Sequence, residues 1–525
     1  MSPLSQSLIS ALRSGRFFNH DVSTLQVYET HISWVILTGD YAYKIKKPLD
    51  FGFLDFSTLT RRRRFCEDEV RLNRRLAGDL YERVVPISGT PDAPVLDGDG
   101  EPFEYAICMR QFDNAGLFST LQANGELTRT MMDDMVDQLV AFHQSAERVS
   151  PDSDFGAPEA VHAPVKQNFD QIRPLLEDQN DLRRLEELAQ RAEELYHRFE
   201  PLLMKRQREG FVRETHGDVH LANVVQHKGR ALIFDCIEFN DDLRYNDVCC
   251  ELAFLLMDLE ARGEHALSSH VLNRYLEGSG DHELVRLLPW YKAYRAMVRA
   301  KVALFRLQQP DLHPADRDAA LSDYRSYIAL AERYSEIDIP WLLISVGVSG
   351  SGKSRFTEQV VRSLGAIRLR SDVERKRLCE LAPDADSGSS VAGGIYSDDM
   401  TRQTYERLAS LSGTLMEAGY PVCIDATALK RAQRDRLRHE AEKRGLAALL
   451  ISFEADDATL RDRLVRRQKR RGEASEAGIE VLDYQLASRD AFGEDELAYL
   501  IHLDTTAEDA NLTLVSLIRE RLRLN

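Results

Sequence analysis

No stretch of this chain is apolar for the roughly 20 residues that a bilayer-spanning helix requires. The N-terminal MSPLSQSLISALRSGRFF also lacks an apolar core long enough for a secretory leader, because Arg13 and Arg16 interrupt it. Leu8, Ile9 and Leu12 suit a short amphipathic helix instead. Cysteine is sparse: seven residues, an odd number, with no C-x-x-C spacing and one adjacent pair, Cys249-Cys250. That pattern excludes a disulfide framework and a zinc ribbon, and it fits reduced thiols in a cytoplasmic protein. An excess of positive charge is missing too. The net charge of −17 speaks against a chain whose main task is to coat nucleic acid, although a local basic groove is compatible with it.

At 525 residues the chain is too long for one ordinary core, so two or three domains are expected. Its most informative stretch is Thr215-His216-Gly217-Asp218-Val219-His220-Leu221-Ala222-Asn223-Val224-Val225. Asp235 follows at the end of the apolar run Ala231-Leu232-Ile233-Phe234. An Asp, an Asn five residues on, and a second Asp closing a strand form a set suited to phosphoryl transfer. The first accepts a hydroxyl proton, and the other two hold Mg²⁺ against a triphosphate. Asp218 is thus the candidate base, with Asn223 and Asp235 as candidate metal ligands. The turn Gln226 to Arg230 predicts a hairpin that brings Asp235 back beside Asn223.

Residues 31–47 read as a hairpin, with strands from Ser33 and from Tyr41 around Thr38-Gly39-Asp40. Lys44 and Lys46 share a face of the second strand. The helical pattern over 61–78 carries Glu67 and Glu69. A strand Lys paired with a helix Glu can hold the α- and β-phosphates, and the favoured pair is Lys44 with Glu69, with Lys46 and Glu67 as alternatives. Tyr105 to Met109 reads as a buried strand leading into a hinge at 111–114. From 128 onward the pattern is largely helical, with a Pro/Gly/Asp-rich loop at 151–164 and a break near Pro201. Asp247 suits a cap ahead of the apolar stretch Cys249 to Met257. The turn-prone 332–340 marks the expected boundary between domains at 1–335 and 338–525.

A second phosphate signal follows that boundary. Gly347-x₄-Gly352-Lys353-Ser354, after the apolar strand Leu342 to Val346, fits G-x-x-x-x-G-K-[ST]. The Gly347, Ser349, Gly350, Ser351 and Gly352 stretch can curl its N–H groups around phosphates. Lys353 reaches the β/γ oxygens, Ser354 binds Mg²⁺, and the next helix aims its N-terminus at the same anion. Asp372, at the end of a short strand, is a candidate base. Arg375 can hold a substrate phosphate or cap a surface helix. Asp425 ends the strand Val422-Cys423-Ile424 as a second metal ligand. The basic helix 460–471 offers Arg463 and Arg467 on one face as lid arginines. Gln485 is spaced to close on the same loop. The basic helix leaves nucleic acid as a minor possibility for this half alone.

At these residues the N-terminal half, about 28–300, resembles the aminoglycoside phosphotransferase (choline-kinase-like, protein-kinase-like) family. The resemblance rests on His216-Gly217-Asp218-x-His220-x₂-Asn223 followed by Phe234-Asp235. It implies a two-lobed α+β fold, ATP with Mg²⁺, and phosphorylation of a small-molecule hydroxyl. Two departures stand out: Leu37-Thr38-Gly39-Asp40 replaces a G-x-G-x-x-G loop before Lys44, and Cys236 replaces the usual aromatic after the metal Asp. Residues from about 341 resemble P-loop kinases of the zeta-toxin and polynucleotide-kinase type, which implies a three-layer α/β domain with a parallel sheet. The expectation is therefore an α/β multidomain, bifunctional, cytoplasmic kinase without membrane attachment. The alternative is an N-terminal ligand-binding module that gates a P-loop ATPase or kinase.

Overall fold

Alternating apolar residues build the N-terminal sheet. Its strands are β1 (Gln26–Glu29), β2 (Ser33–Leu37), β3 (Tyr41–Lys46), β4 (Tyr81–Thr90), β5 (Ala93–Leu96) and β6 (Glu104–Arg110). They pair antiparallel in the order β1-β2-β3-β6-β4-β5. The protein is represented by a computed structural model that describes residues 3–50, 52, 54–308, 313–336, 338–383, 385, 387, 393–468 and 478–524. These divide into two units: Met1–Asp258 with Trp290–Ala331, and Leu259–Pro289 with Glu332–Asn525.

In the first unit, Trp34, Ile36, Tyr43, Ile45, Val85 and Ile87 face one side of the sheet, where Leu8, Ile9 and Leu12 of the N-terminal helix Pro3–Leu12 cover them. The helix Leu59–Ala77 packs Cys66, Val70 and Ala77 together with Ile107 of β6. Thr58 caps it by accepting from Arg61 N. The turn-rich segment after residue 89 holds β5, which returns along β4.

Two expectations about proline are corrected. Residues 151–164 are not all loop, since a helix runs Pro158–Ile172 with Pro158 in its first turn, where its missing N–H costs nothing. Pro201 does not break its segment but lies inside the helix Gln179–Arg208. Burial of Leu202 and Leu203 and the fully buried pair Arg206–Asp247, 2.7 Å apart, hold the turn beyond it, which offsets the one lost backbone bond.

Short strands then frame the central motif. β7 (Val212–Glu214) and β10 (Tyr245–Asp247) pair antiparallel. β8 (Val224–His227) and β9 (Arg230–Ile233) form the expected hairpin. Its corner is Lys228-Gly229, with φ of 49° and 81°, the left-handed pair that a tight hairpin turn needs. Asp247 accepts from Cys249 N at 2.8 Å as the helix Val248–Ala261 begins.

In the second unit, β11 (Leu342–Val346), β12 (Ile367–Arg370), β13 (Val422–Asp425), β14 (Ala448–Glu454) and β15 (Leu500–Asp504) are all parallel, in the order β12-β13-β11-β14-β15. Leu343, Ile451, Phe453 and Leu503 pack one face against Phe356 and Val360 of the helix Lys353–Leu364 and Leu514 and Ile518 of the helix Ala510–Leu522. The helices Asp398–Glu417 and Arg431–Glu442 pack against β13 and β11. The result is an α/β domain with a parallel sheet, in which β11, β12 and β13 end beside one another.

Candidate active sites

Residues two apart on a strand share a face, so β3 presents Lys44 and Lys46 together. Glu69, on the helix Leu59–Ala77, bridges them: Lys44 Nζ lies 2.8 Å from Glu69 Oε1 and Lys46 Nζ 2.6 Å from Glu69 Oε2. Lys44 also reaches Asp235 Oδ1 at 2.7 Å, and Lys46 pairs with Glu238. Glu67, by contrast, pairs with Arg63 on the exposed side. Burial pushes the Lys44 ammonium down, but Asp235, Glu69 and Glu238 outweigh it and raise its pKa well above the ordinary value. Burial pushes Glu69 up, yet the two lysines bring it down to about 2. Glu238 is left on the raised side, mainly by burial.

The loop after β7 supplies the other groups. Asn223 Nδ2 donates to Asp218 Oδ2 at 2.9 Å and to the Asp218 carbonyl at 3.0 Å, so its Oδ1 is the atom left as an acceptor. His220 Nε2 stands 3.4 Å from Asp218 Oδ2. Burial works to raise the Asp218 carboxyl, but His220 first, then Arg295 and His216, bring it down to about 2. The β8–β9 hairpin carries the chain back, and Phe234 N donates to Asn223 O at 2.9 Å. Asp235 itself sits at φ 63°, a left-handed conformation that is uncommon away from glycine. Lys44, Glu69 and Asp235 are thus joined by ion pairs, and Asp218 and Asn223 by a hydrogen bond. Asn223 and Asp235 offer the hard oxygen donors that Mg²⁺ takes.

Sequence reasoning missed the groups that hold this loop. Glu251 Oε1 accepts from His216 N at 2.7 Å and Gly217 N at 2.6 Å, while its Oε2 meets His143 Nε2 at 2.5 Å. Burial raises the Glu251 carboxyl, but the His143 bond and the neighbouring imidazoles bring it down to about 2. The available signal was an acidic residue inside the apolar run Cys249 to Met257. Arg75 donates to the carbonyls of Glu214 and Thr215 at 2.9 and 3.0 Å. Asn73 accepts from Cys236 N at 2.9 Å. Gln111, at the expected hinge, accepts from Gly39 N at 2.9 Å and so ties down the Leu37-Thr38-Gly39-Asp40 turn.

In the second unit the loop after β11 curls with Gly350 and Gly352 at φ 84° and 94°. A Cβ on Gly350 would lie 2.8 Å from the Leu460 carbonyl oxygen, so only glycine fits there. Lys353 Nζ donates to the Gly347 and Val348 carbonyls, both at 2.8 Å. Burial lowers its pKa to about 8, against the pull of Asp425 and Asp372. A cavity of about 570 Å³ opens at this loop, lined among others by Lys353, Ser354, Asp372, Asp425, Arg463 and Arg467. Asp425 Oδ2 is buried and accepts no hydrogen bond. An orphaned carboxylate oxygen on the same cavity wall as a hydroxyl is the donor set that a divalent cation completes, so the residues fit Mg²⁺.

Gln485 Oε1 accepts from Ser349 N at 2.7 Å, which gives its spacing a structural meaning. Arg463 donates to the Gly350 carbonyl at 3.3 Å and to Thr505 Oγ1 at 2.9 Å, and so anchors the loop as well as lining the cavity. Arg375 donates to the Ile395 carbonyl and Thr401 Oγ1, both at 3.0 Å. The basic helix is described over Asp457–Gln468, and 469–471 lie outside the described residues.

A family model described as the phosphotransferase enzyme family matches residues 54–294, and one described as an AAA domain matches 342–492. The chain is a fusion of a phosphotransferase-family domain with a P-loop kinase-type domain. As such it is an enzyme of the phosphotransferase class. Uncharacterised proteins of Mycobacterium tuberculosis and Mycobacterium bovis are similar to the whole fusion, each 29% identical over 474 residues, or 90% of this chain and 91% of theirs. Among solved structures, a choline/ethanolamine kinase family protein from Mesorhizobium loti aligns at 13% identity and a TM-score of 0.38, covering 62% of this chain and 97% of that one. A sugar kinase from a Janibacter species aligns at 23% and 0.29, over 35% and 95%. The phosphotransferase match runs through residues 259–289, which pack within the same unit as the P-loop domain.

Proposed function

We propose that the protein is a bifunctional, cytoplasmic, ATP-dependent kinase in which each domain, 1–335 and 338–525, transfers a γ-phosphate to the hydroxyl of a small molecule. The observation that carries this reading is that Lys44 bridges Glu69 and Asp235, which puts the candidate phosphate-binding lysine in contact with a candidate metal carboxylate. In the phosphotransferase domain, Asp218 takes the acceptor hydroxyl's proton. The freed oxygen forms a bond to the γ-phosphorus as the bond to the β,γ-bridging oxygen breaks, releasing ADP. Asn223 and Asp235 would hold the metal there. In the P-loop domain, Asp372 takes the proton, Lys353 neutralises the β/γ oxygens, Ser354 and Asp425 would hold the metal, and Arg463 and Arg467 stand on the lid side. When bound, Mg²⁺ offsets triphosphate charge; everything else is positioning by the chain. No disulfide joins any of the seven cysteines, which supports the cytoplasmic setting.

A screen of a hydroxyl-metabolite library for ATP-dependent phosphorylation tests this, repeated with Asp218→Asn and Lys353→Ala. Each variant should abolish one set of products and spare the other. Full turnover in both would sink the assignment. A second reading, in which the phosphotransferase domain is a ligand-binding module, draws on the engagement of Lys44 by two carboxylates and on the absence of a glycine-rich loop before it. Under that reading, Lys44→Ala leaves every phosphorylated product intact.

A further inference from the structure

β12 is an edge strand of the P-loop sheet, and the helix His265–Ser279 closes its open side. Asn273 does so in the manner of a neighbouring strand. Its Oδ1 accepts from Arg368 N at 2.6 Å and its Nδ2 donates to the Ala366 carbonyl at 3.1 Å. One turn on, Glu277 meets two arginines of β12. Its Oε1 accepts from Arg370 Nη1 at 2.6 Å, and its Oε2 lies 3.7 Å from Arg368 Nη2. Each arginine leads to a candidate metal ligand. Arg370 Nε stands 3.9 Å from Asp425 Oδ2, the oxygen that accepts no hydrogen bond. Arg368 Nη1 donates to the Ser354 carbonyl at 3.1 Å. Glu277 lies outside the 342–492 match, so this carboxylate is not part of the P-loop pattern itself.

We infer that Glu277 is a positioning residue for the P-loop site, holding Arg370 off Asp425 so that the carboxylate stays open to a divalent cation. Two carboxylates compete for the Arg370 guanidinium. A guanidinium 3.9 Å from a buried carboxylate oxygen that accepts no hydrogen bond is drawn towards it, because opposite charges attract strongly where water is excluded. The shorter, charge-assisted bond to Glu277 opposes that movement. Without it, Arg370 closes on Asp425 and occupies with its own charge the place a cation would take. The ion pair with Arg368, which itself donates to the Ser354 carbonyl, steadies the first turn of the helix that bears Ser354, so one side chain stands behind both oxygen donors. This inference rests on the proposed nucleotide-binding role of the P-loop domain.

The test uses the full chain and a fluorescent ATP analogue titrated with Mg²⁺, taking the part of the signal that Lys353→Ala removes as the P-loop site. Glu277→Gln should raise the Mg²⁺ concentration for half-maximal binding by roughly tenfold, the lower end of what losing an outer partner costs a metal site. The double variant Glu277→Gln/Arg370→Met should restore the midpoint, because the competing cation is gone. An unchanged midpoint in Glu277→Gln overturns the inference. So does a double variant no better than the single one, since a packing defect would not be relieved by a second substitution. If the unaltered protein shows no Lys353-dependent binding, the nucleotide reading fails first and this inference falls with it.

Discussion

Glu251 shows how a single buried side chain can organise a candidate active-site loop. Its carboxylate receives two backbone N–H groups of the motif and an imidazole, which together outweigh the cost of burial and hold its pKa near 2 against the ordinary 4.5. A carboxyl depressed in the folded state contributes stability that is complete above its unfolded value and is lost as pH falls through the folded one. Its share is therefore present above pH 4.5 and drains away between 4.5 and about 2. Glu251→Gln should cost on the order of 3 kcal/mol at neutral pH, by the conversion of pKa difference to free energy. It should also flatten acid unfolding in that window. Denaturant titrations at pH 7 and at pH 3 would show this; an equal loss at both would remove the ionic account. Asp218, Asn223 and Asp235 were singled out as candidates from spacing alone. Glu251 was not, because nothing in a sequence states that an acid in an apolar helix faces a backbone 35 residues away.

At the scale of elements, the P-loop curl depends on glycine for a reason that is local and one that is not. The left-handed φ of 84° at Gly350 is a backbone matter that the G-x-x-x-x-G-K-S pattern announces. The carbonyl of Leu460, 2.8 Å from where a Cβ would stand, belongs to a helix turn more than a hundred residues away, and only the fold brings it there. Gly350→Ala should therefore cost about 1–3 kcal/mol of local strain and weaken nucleotide binding at this site while sparing the phosphotransferase domain. Melting curves together with nucleotide titrations would check both effects; a variant that melts and binds like the unaltered protein would contradict the close approach. The proline-bearing helices make the converse point. Pro164 and Pro201 are helix breakers by local preference, and burial of their neighbours overrode it.

For the whole molecule, a ligand that binds only the folded state stabilises it by mass action, about 2.7 kcal/mol at a hundred times its dissociation constant. Mg²⁺ with ATP should shift the thermal unfolding of the chain through both proposed sites. Lys353→Ala should abolish only the P-loop share, and Asp235→Ala only the other. Scanning calorimetry of the three proteins would separate them. One undivided shift that either variant abolishes outright would mean a single nucleotide site.

Much of this protein was decided by its sequence. Two phosphate-handling signatures, an alternating hairpin with its lysines, and apolar strands ahead of a glycine-rich loop are local patterns, carried by period, spacing and backbone preference, which act between near neighbours. Tertiary structure alone decided which charges meet. Glu69 bridges both lysines and Glu67 neither; Glu251 grips the loop; Glu277 reaches across to the strand that leads into Asp372. Ion pairs and buried hydrogen bonds join residues by distance through space, and that distance is a property of the packed chain.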